Sequence, residues 1–242
     1  MKYEKYMEMP HASIPVDIAE KLQMAGGNSI LEFEDKNKIL TDDILQMEVG
    51  YSKMKNGDYV VSMYCPMPGV TAQMVEWFFW WHPQEKERYQ LWFPGEHMDT
   101  GYEKSKEEYF HAKKMPEFQP NTQYPIERIG KVKMPLSISF VSPEEFGFDR
   151  KLMKEANVAT VICGHVGAFR GILQHTEMAH VYLQREDGLL MVSRFWIGKR
   201  LKNQLIRKIM LTDEIAKGMA EHCCVEYRNL AKKLPMLYAE FG

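Results

Sequence analysis

The sequence predicts an α+β domain in which grouped antiparallel strands precede one long C-terminal helix. Two observations carry this reading. Strand-like, β-branched and aromatic runs follow one another between Leu136 and Trp196, and the stretch from Thr212 to Phe241 then holds a helical pattern to its end. Strands grouped together with helices set apart imply an α+β fold rather than alternating βαβ units.

Residues 1–57 are the least regular part. Pro15–Gln23 (PVDIAEKLQ) and Asp42–Met47 read as short helices, separated by the breaker Gly26-Gly27-Asn28-Ser29. The apolar residues here (Ile18, Leu22, Met24, Leu31, Phe33, Leu40, Ile44, Leu45) are too few for a core of their own. The segment is therefore expected to be an appendage that packs on the main body or on another subunit, with residues 58–242 as the main domain.

From Asp58 the pattern sharpens. An Asn56-Gly57 turn leads into a strand over Tyr59–Met63, which Pro66 and Pro68-Gly69 break. Thr71 can cap a helix running through Met74, Val75, Phe78 and Phe79 to Trp81, and Pro83 ends it. Gln84–Gln123 is charged and aromatic by turns, with Pro94, Gly95, Pro116 and Pro120; so long an irregular segment inside a domain usually carries function. Leu136–Val141, Val158–Cys163, Thr176–Gln184 and Leu189–Trp196 then read as strands, the last two flanking the hairpin signal Glu186-Asp187-Gly188. Leu201–Leu211 and Thr212–Phe241 are helical, with Asp213 and Glu214 in the first turn, where the helix dipole favours acids.

Composition narrows the function. Of 242 residues 45% are hydrophobic and 26% charged, which excludes a disordered chain. A net charge of -2 without a basic stripe gives no footprint for nucleic acid or a membrane surface. No segment approaches the length of a spanning helix, and the opening MKYEKYMEMPHASIP lacks the apolar core of a secretory signal, so a cytoplasmic location is expected. Cys65, Cys163, Cys223 and Cys224 follow no disulfide or C-x-x-C spacing and read as free thiols of a reducing compartment. The chain is rich in soft and flat side chains, with 18 Met, 12 Tyr, 12 Phe and 5 Trp. These suit either a large core or the wall of a cavity for a flat apolar ligand.

The last helix is where spacing points to chemistry. Ile215, Met219, Leu230, Leu234 and Leu237 form one buried stripe, and His222 and Glu226 sit on it, four residues apart. Both side chains then reach the same point from one helical face. A carboxylate on a buried face costs several kcal/mol unless it is paired or binds a metal. One imidazole nitrogen and one carboxylate oxygen are a pair that a divalent transition ion accepts. The alternative is a rotated helix that leaves the pair in a half-exposed groove. Further ligands have several candidates: His82, His97, His111, His165, His175 and His180, with Glu96, Asp99, Glu117 and Glu127.

Three blocks carry a family resemblance. The first is Met67-Pro68-Gly69-Val70-Thr71, Met74 and Trp77-Phe78-Phe79-Trp80-Trp81-His82, continuing through Tyr89, Trp92, Pro94 and His97. The second is His180, Asp187-Gly188 and Ser193-Arg194-Phe195-Trp196-Ile197-Gly198. The third is His222-x-x-x-Glu226 followed by Leu234-Pro235. Together they resemble the 2,4-diacetylphloroglucinol hydrolases, a family that includes the phloretin hydrolases. The resemblance implies a helix-grip (Bet v 1/START-like) domain, a curved antiparallel sheet around the C-terminal helix, and a zinc ion held by two His and two Glu. His97, His222 and Glu226 match that set. Glu127 in Tyr124-Pro125-Ile126-Glu127 fits the remaining Glu best by spacing, with Glu117 the fallback. Tyr89 resembles a tyrosine that contacts a substrate oxygen, although a lone aromatic after a helix is often core packing.

The remaining side chains divide by strand parity. His180 alternates in phase with Met178 and Tyr182, so all three share one face; on the concave face His180 and Tyr182 meet the ligand, and otherwise His180 is structural. Met191 and Phe195 on the same hairpin are expected to line the cavity with them. His82 reads as packing or orienting, and Arg194 as pairing with an acid. The resemblance implies hydrolysis of the carbon–carbon bond between an acyl group and a polyhydroxylated ring, acting on a small aromatic ketone, with the N-terminal segment making homodimer contacts. Two other functions stay open: a non-enzymatic helix-grip carrier of an aromatic metabolite, and a zinc ester or lactone hydrolase.

Overall fold

The strand-forming runs pair into one sheet in the computed structural model, which describes residues 2–24, 26 and 29–242. Gly27 and Asn28 of the expected breaker lie outside the described residues. Among those residues nine strands are antiparallel neighbours: β1 (Gly50–Lys53), β2 (Tyr59–Pro68), β3 (His97–Asp99), β4 (Asn121–Gln123), β5 (Ile126–Ile129), β6 (Val132–Val141), β7 (Val158–Ala168), β8 (Leu173–Arg185) and β9 (Gly188–Ile197). Their order is β1-β2-β9-β8-β7-β6-β5-β3, with β4 paired to β6 off this path. The sheet curls around the C-terminal helix Asp213–Phe241, whose 29 residues span about 43 Å. This is the α+β helix-grip arrangement.

Local chemistry places the elements. Thr71 caps the helix Ala72–Trp81, its Oγ1 accepting from the Met74 N–H at 3.3 Å, and Thr212 caps the last helix in the same way at Ile215. β2 continues through Pro66 and Pro68, beyond the expected stop. β9 pairs with it as far as Pro68↔Gly188, whereas β1 reaches only to Ser62. Past Ser62 the strand has a free edge, where proline is tolerated. In the β8–β9 hairpin a Cβ on Gly188 would lie 2.4 Å from the Met67 carbonyl oxygen, so only glycine allows this approach to β2.

Alternation sorts the side chains onto two faces. Met178, Tyr182 and Phe195 join the core beneath the C-terminal helix, with Val75, Phe78 and Trp92. Ala179, Val181 and Trp196 point the other way, into a second core that Leu31, Ile39, Leu40 and Leu45 cover. The N-terminal segment thus packs against the outer face of the sheet, while Ile18 and Leu22 join the helix-side core. Arg194, fully buried, pairs with Glu48 of that segment at 3.3 Å. No described helix is long and apolar enough to cross a membrane.

Candidate metal centre and cavity

The long irregular segment after the helix Ala72–Trp81 folds back so that β3 pairs with β5, with His97 directly opposite Glu127. Side chains of directly opposed residues stand side by side on one face. The C-terminal helix supplies the second pair: His222 and Glu226, buried and one turn apart. The indole of Trp92 donates to the Glu226 carbonyl at 2.8 Å and locks the helix against the segment that carries His97.

The two pairs converge. His97 Nε2 lies 3.3 Å from His222 Nε2 and 3.4 Å from Glu226 Oε2. His222 Nε2 lies 3.7 Å from Glu226 Oε2 and 3.8 Å from Glu127 Oε2. A tetrahedral zinc site with metal–ligand bonds of about 2.0–2.2 Å separates its ligand atoms by about 3.3–3.6 Å. His97, His222 and Glu226 offer two nitrogens and one oxygen within 4.8 Å of one another, a set that suits such an ion, and Glu127 adds a second oxygen beside His222. Both imidazoles are also held by main chain: His97 Nδ1 lies 3.4 Å from the Tyr89 carbonyl, and His222 donates to the Arg128 main-chain carbonyl. With Nδ1 of His97 donating outward, its Nε2 lone pair faces the cluster, the orientation that metal-ligating histidines adopt.

Burial sets the charges. It lowers His222 to about 4 and holds His97 well below the usual imidazole range, with His222 adding to the effect on His97. It raises Glu127 to about 7, against the pull of the Tyr89 hydroxyl, and raises Glu226 well above the carboxylate range, helped by Glu127. All four groups are therefore driven towards their uncharged forms. A divalent cation would stabilise buried carboxylates among neutral imidazoles.

Glu127, His222 and Glu226 form part of the wall of an apolar cavity of about 250 Å³, with His97 behind them. Tyr89 lines it, stacked on His97 with ring centroids 4.2 Å apart and planes 7° apart, and its hydroxyl donates to the Glu127 carboxylate. Burial, then Glu127, raises the Tyr89 phenol well above its ordinary range, so it stays protonated. His180 also lines the cavity, with Nδ1 3.0 Å from Ser193 Oγ, and burial lowers it to about 3, keeping the ring neutral. Met178 and Phe195 line the cavity with it. Tyr182 and Met191 share that face of the sheet, but they are fully buried core residues outside the lining, Tyr182 lying beside Tyr227 where the helix descends onto the sheet.

The other candidates lie elsewhere or serve differently. Glu117 is exposed on the rim of a separate chamber. His165 pairs with Glu177 at 2.6 Å, and His111 bonds the Tyr102 hydroxyl at 2.8 Å. His82 is buried, packs near-parallel to Tyr89 at 5.3 Å and lines the cavity, as does His175. Sequence reasoning missed Tyr227, Gln123 and Phe140 among the lining residues. Tyr227 was findable, since it is in phase with Leu230 and Leu234 on the buried stripe. Gln123 and Phe140 carried no local signal.

A family model described as the DAPG hydrolase PhiG domain matches residues 30–239. The chain belongs to the DAPG hydrolase family. Within it, the 2,4-diacetylphloroglucinol hydrolase of Pseudomonas protegens is 30% identical over 269 residues, spanning 99% of this chain and 84% of its own length. The phloretin hydrolase of Eubacterium ramulus is 29% identical over 257 residues, spanning 99% of this chain and 90% of its own. Among solved structures, a protein of unknown function from Staphylococcus aureus superposes with a TM-score of 0.43 at 8% identity, covering 77% of this chain and 99% of that one. The family match includes residues 30–57, so the segment covering the outer face of the sheet lies partly within the family's domain.

Proposed function

We propose that this protein hydrolyses the carbon–carbon bond between an acyl group and a polyhydroxylated aromatic ring, as a metal-dependent enzyme. The observation that carries the proposal is the convergence of His97, His222 and Glu226, with Glu127 beside His222, at the edge of an apolar cavity that Glu127, His222 and Glu226 line. Family membership supports the substrate class, because the relatives are named for diacetylphloroglucinol and phloretin.

His97, Glu127, His222 and Glu226 would hold the ion, and zinc fits their donor set. When bound, such an ion supplies Lewis acidity for an acyl carbonyl and makes water acidic enough to attack near neutral pH. The protein's own groups do the rest. The phenol of Tyr89 keeps its proton on the Glu127 carboxylate, which fixes that carboxylate and leaves an oxygen lone pair to accept from a ring hydroxyl. Ser193 orients the neutral ring of His180, whose Nε2 is placed to exchange a proton with a phenolic oxygen or the ring carbon. Met178, Phe195 and Tyr227 hold the flat ring and exclude bulk water. The acyl carbon–ring carbon bond breaks, a water oxygen ends on the acyl carbon, and a water hydrogen ends on the ring carbon.

The test is acid release from diacetylphloroglucinol and phloretin, measured with and without a chelator. Turnover that a chelator abolishes and zinc restores is expected. Tight binding with no turnover would replace this reading with a carrier. The same reading makes the protein a cytoplasmic homodimer that associates through residues 1–57. The exposed Val16, Met24, Ile30, Ile44 and Met47 support association, and sedimentation checks it; a monomer at all concentrations refutes it.

A further inference from the structure

The catalytic cavity ends on a thin wall. Beyond it lies a larger chamber of about 800 Å³, bounded by Trp80, Tyr109, Phe118 and Ile162. Phe79, Gln123 and Phe140 are the residues that line both spaces. Phe79 comes from the last turns of the helix Ala72–Trp81 and Phe140 from β6, and their rings meet edge to face with centroids 5.9 Å apart. Gln123 from β4 fills the remaining corner. It is buried, and its Nε2 donates to the Phe79 carbonyl at 3.1 Å and to Asn121 Oδ1 at 3.2 Å, so the amide holds the helix to the sheet at the wall.

We propose that Phe79, Phe140 and Gln123 set the length of acyl arm that the enzyme accepts, by closing the catalytic cavity off from the outer chamber. The proposal rests on the hydrolase reading above. The wall offers two phenyl rings and an amide whose nitrogen is already engaged, a surface that suits an apolar chain. The polar groups that could meet phenolic oxygens lie elsewhere in the lining, at Tyr89 and at His175, Thr176 and His180 of β8. The acyl arm is therefore the part of the substrate that meets the wall. At about 250 Å³ the inner cavity falls just below the usual range of about 300–1,000 Å³ for ligand sites, which suits one ring with a short arm. An arylpropanoyl arm, as in phloretin, needs the space behind Phe79.

The test compares kcat/KM for diacetylphloroglucinol and phloretin in the wild type, Phe79→Ala and Phe140→Ala. The wild type is expected to prefer the acetyl substrate. Each substitution joins the two chambers and shifts the ratio at least tenfold towards phloretin, since one methylene in an apolar pocket is worth about 10–200-fold. Phe140→Ala serves as the second variant because Phe79 also touches His82 and Trp92, and its loss could disturb the fold. An unchanged ratio in folded variants that still cleave both substrates overturns the proposal. If the wild type cleaves neither substrate, the hydrolase reading fails instead, and phloretin affinity then reads the wall. Tightening in both variants upholds it, and no change overturns it.

Discussion

Replacing Glu226 by Gln separates a metal ligand from a structural carboxylate. The substitution keeps the volume of the side chain, and the Trp92 indole still holds the backbone at that position. What it removes is one anionic oxygen, 3.4 Å from His97 Nε2 and 3.7 Å from His222 Nε2. Loss of an outer-shell partner alone weakens metal affinity by about 10–100-fold, so loss of a direct ligand should cost at least 100-fold. At a zinc concentration of about 1,000 times the wild-type Kd, binding stabilises the fold by about 4 kcal/mol. The variant, at about 10 times its own Kd, gains about 1.4 kcal/mol. The difference, near 3 kcal/mol, corresponds to about 5–10 °C in Tm for a domain of this size. In chelator the order should reverse or vanish, because the wild type buries a carboxyl beside Glu127 and the variant buries a neutral amide. Calorimetry with zinc and with chelator, together with zinc stoichiometry, reads both effects. An equal zinc-induced rise in the two proteins refutes the reasoning. So does a variant several kcal/mol weaker even in chelator, which would make Glu226 a structural ion-pair partner.

Other perturbations probe the supports of the site. Ser193→Ala strips His180 of its Nδ1 partner and Cys223 of its hydrogen-bond acceptor, and should cost about 1–3 kcal/mol of stability. It should also lower kcat about tenfold with little change in KM; an unchanged kcat means that Ser193 does not position His180. Lys233 is buried with its Nζ 2.5 Å from the Leu91 carbonyl, and burial lowers it from 10.5 to about 8. The folded protein then sheds this proton near pH 8 while the unfolded chain keeps it to 10.5, so stability from this group rises with pH across that window, by at most about 3 kcal/mol. Lys233→Met should flatten that rise relative to the wild type in denaturant titrations from pH 7 to 10. Gly188→Ala drives a methyl against the Met67 carbonyl and should destabilise the β8–β9 hairpin by more than 2 kcal/mol; a Tm within a degree of the wild type contradicts the close approach.

Half of the candidate site could be read directly from the sequence because it is local. His222 and Glu226 lie on one face of one helix, so spacing and an apolar stripe suffice to bring them together. The His97–Glu127 half is different in kind. It depends on β3, three residues long, meeting β5, four residues long, and strands so short have no periodic signature. Without the family likeness, Glu117 and Glu127 are equivalent in sequence, and only the pairing places Glu127 at the cluster and leaves Glu117 on the rim of the other chamber. β1 and β4 were hidden for the same reason. Parity grouped His180 with Met178 and Tyr182 but left open which side of the sheet they face, and it cannot tell a cavity from a core: Tyr182 shares the face and is covered by the helix. The prolines of β2 misled because they imply a strand end only where both edges are paired.

The two halves are joined by contacts that need no ion. Within nine residues the stretch Tyr89–His97 receives the Lys233 ammonium at Leu91, sends the Trp92 indole to Glu226 and fixes His97 Nδ1 at Tyr89. The β3–β5 pairing then carries the order on to Glu127. Small domains built around a structural zinc lack such a scaffold and unfold when the metal is removed. Here the donors are arranged by hydrogen bonds and by an apolar core on both faces of the sheet. The strain of the arrangement lies in electrostatics, with two carboxyls and two imidazoles held in a dry pocket that favours none of their charged forms. A scaffold that enforces this juxtaposition at a cost to its own stability is what the proposed cation site requires, and zinc-dependent stabilisation that Glu226→Gln removes is the outcome that separates it from a structural cluster.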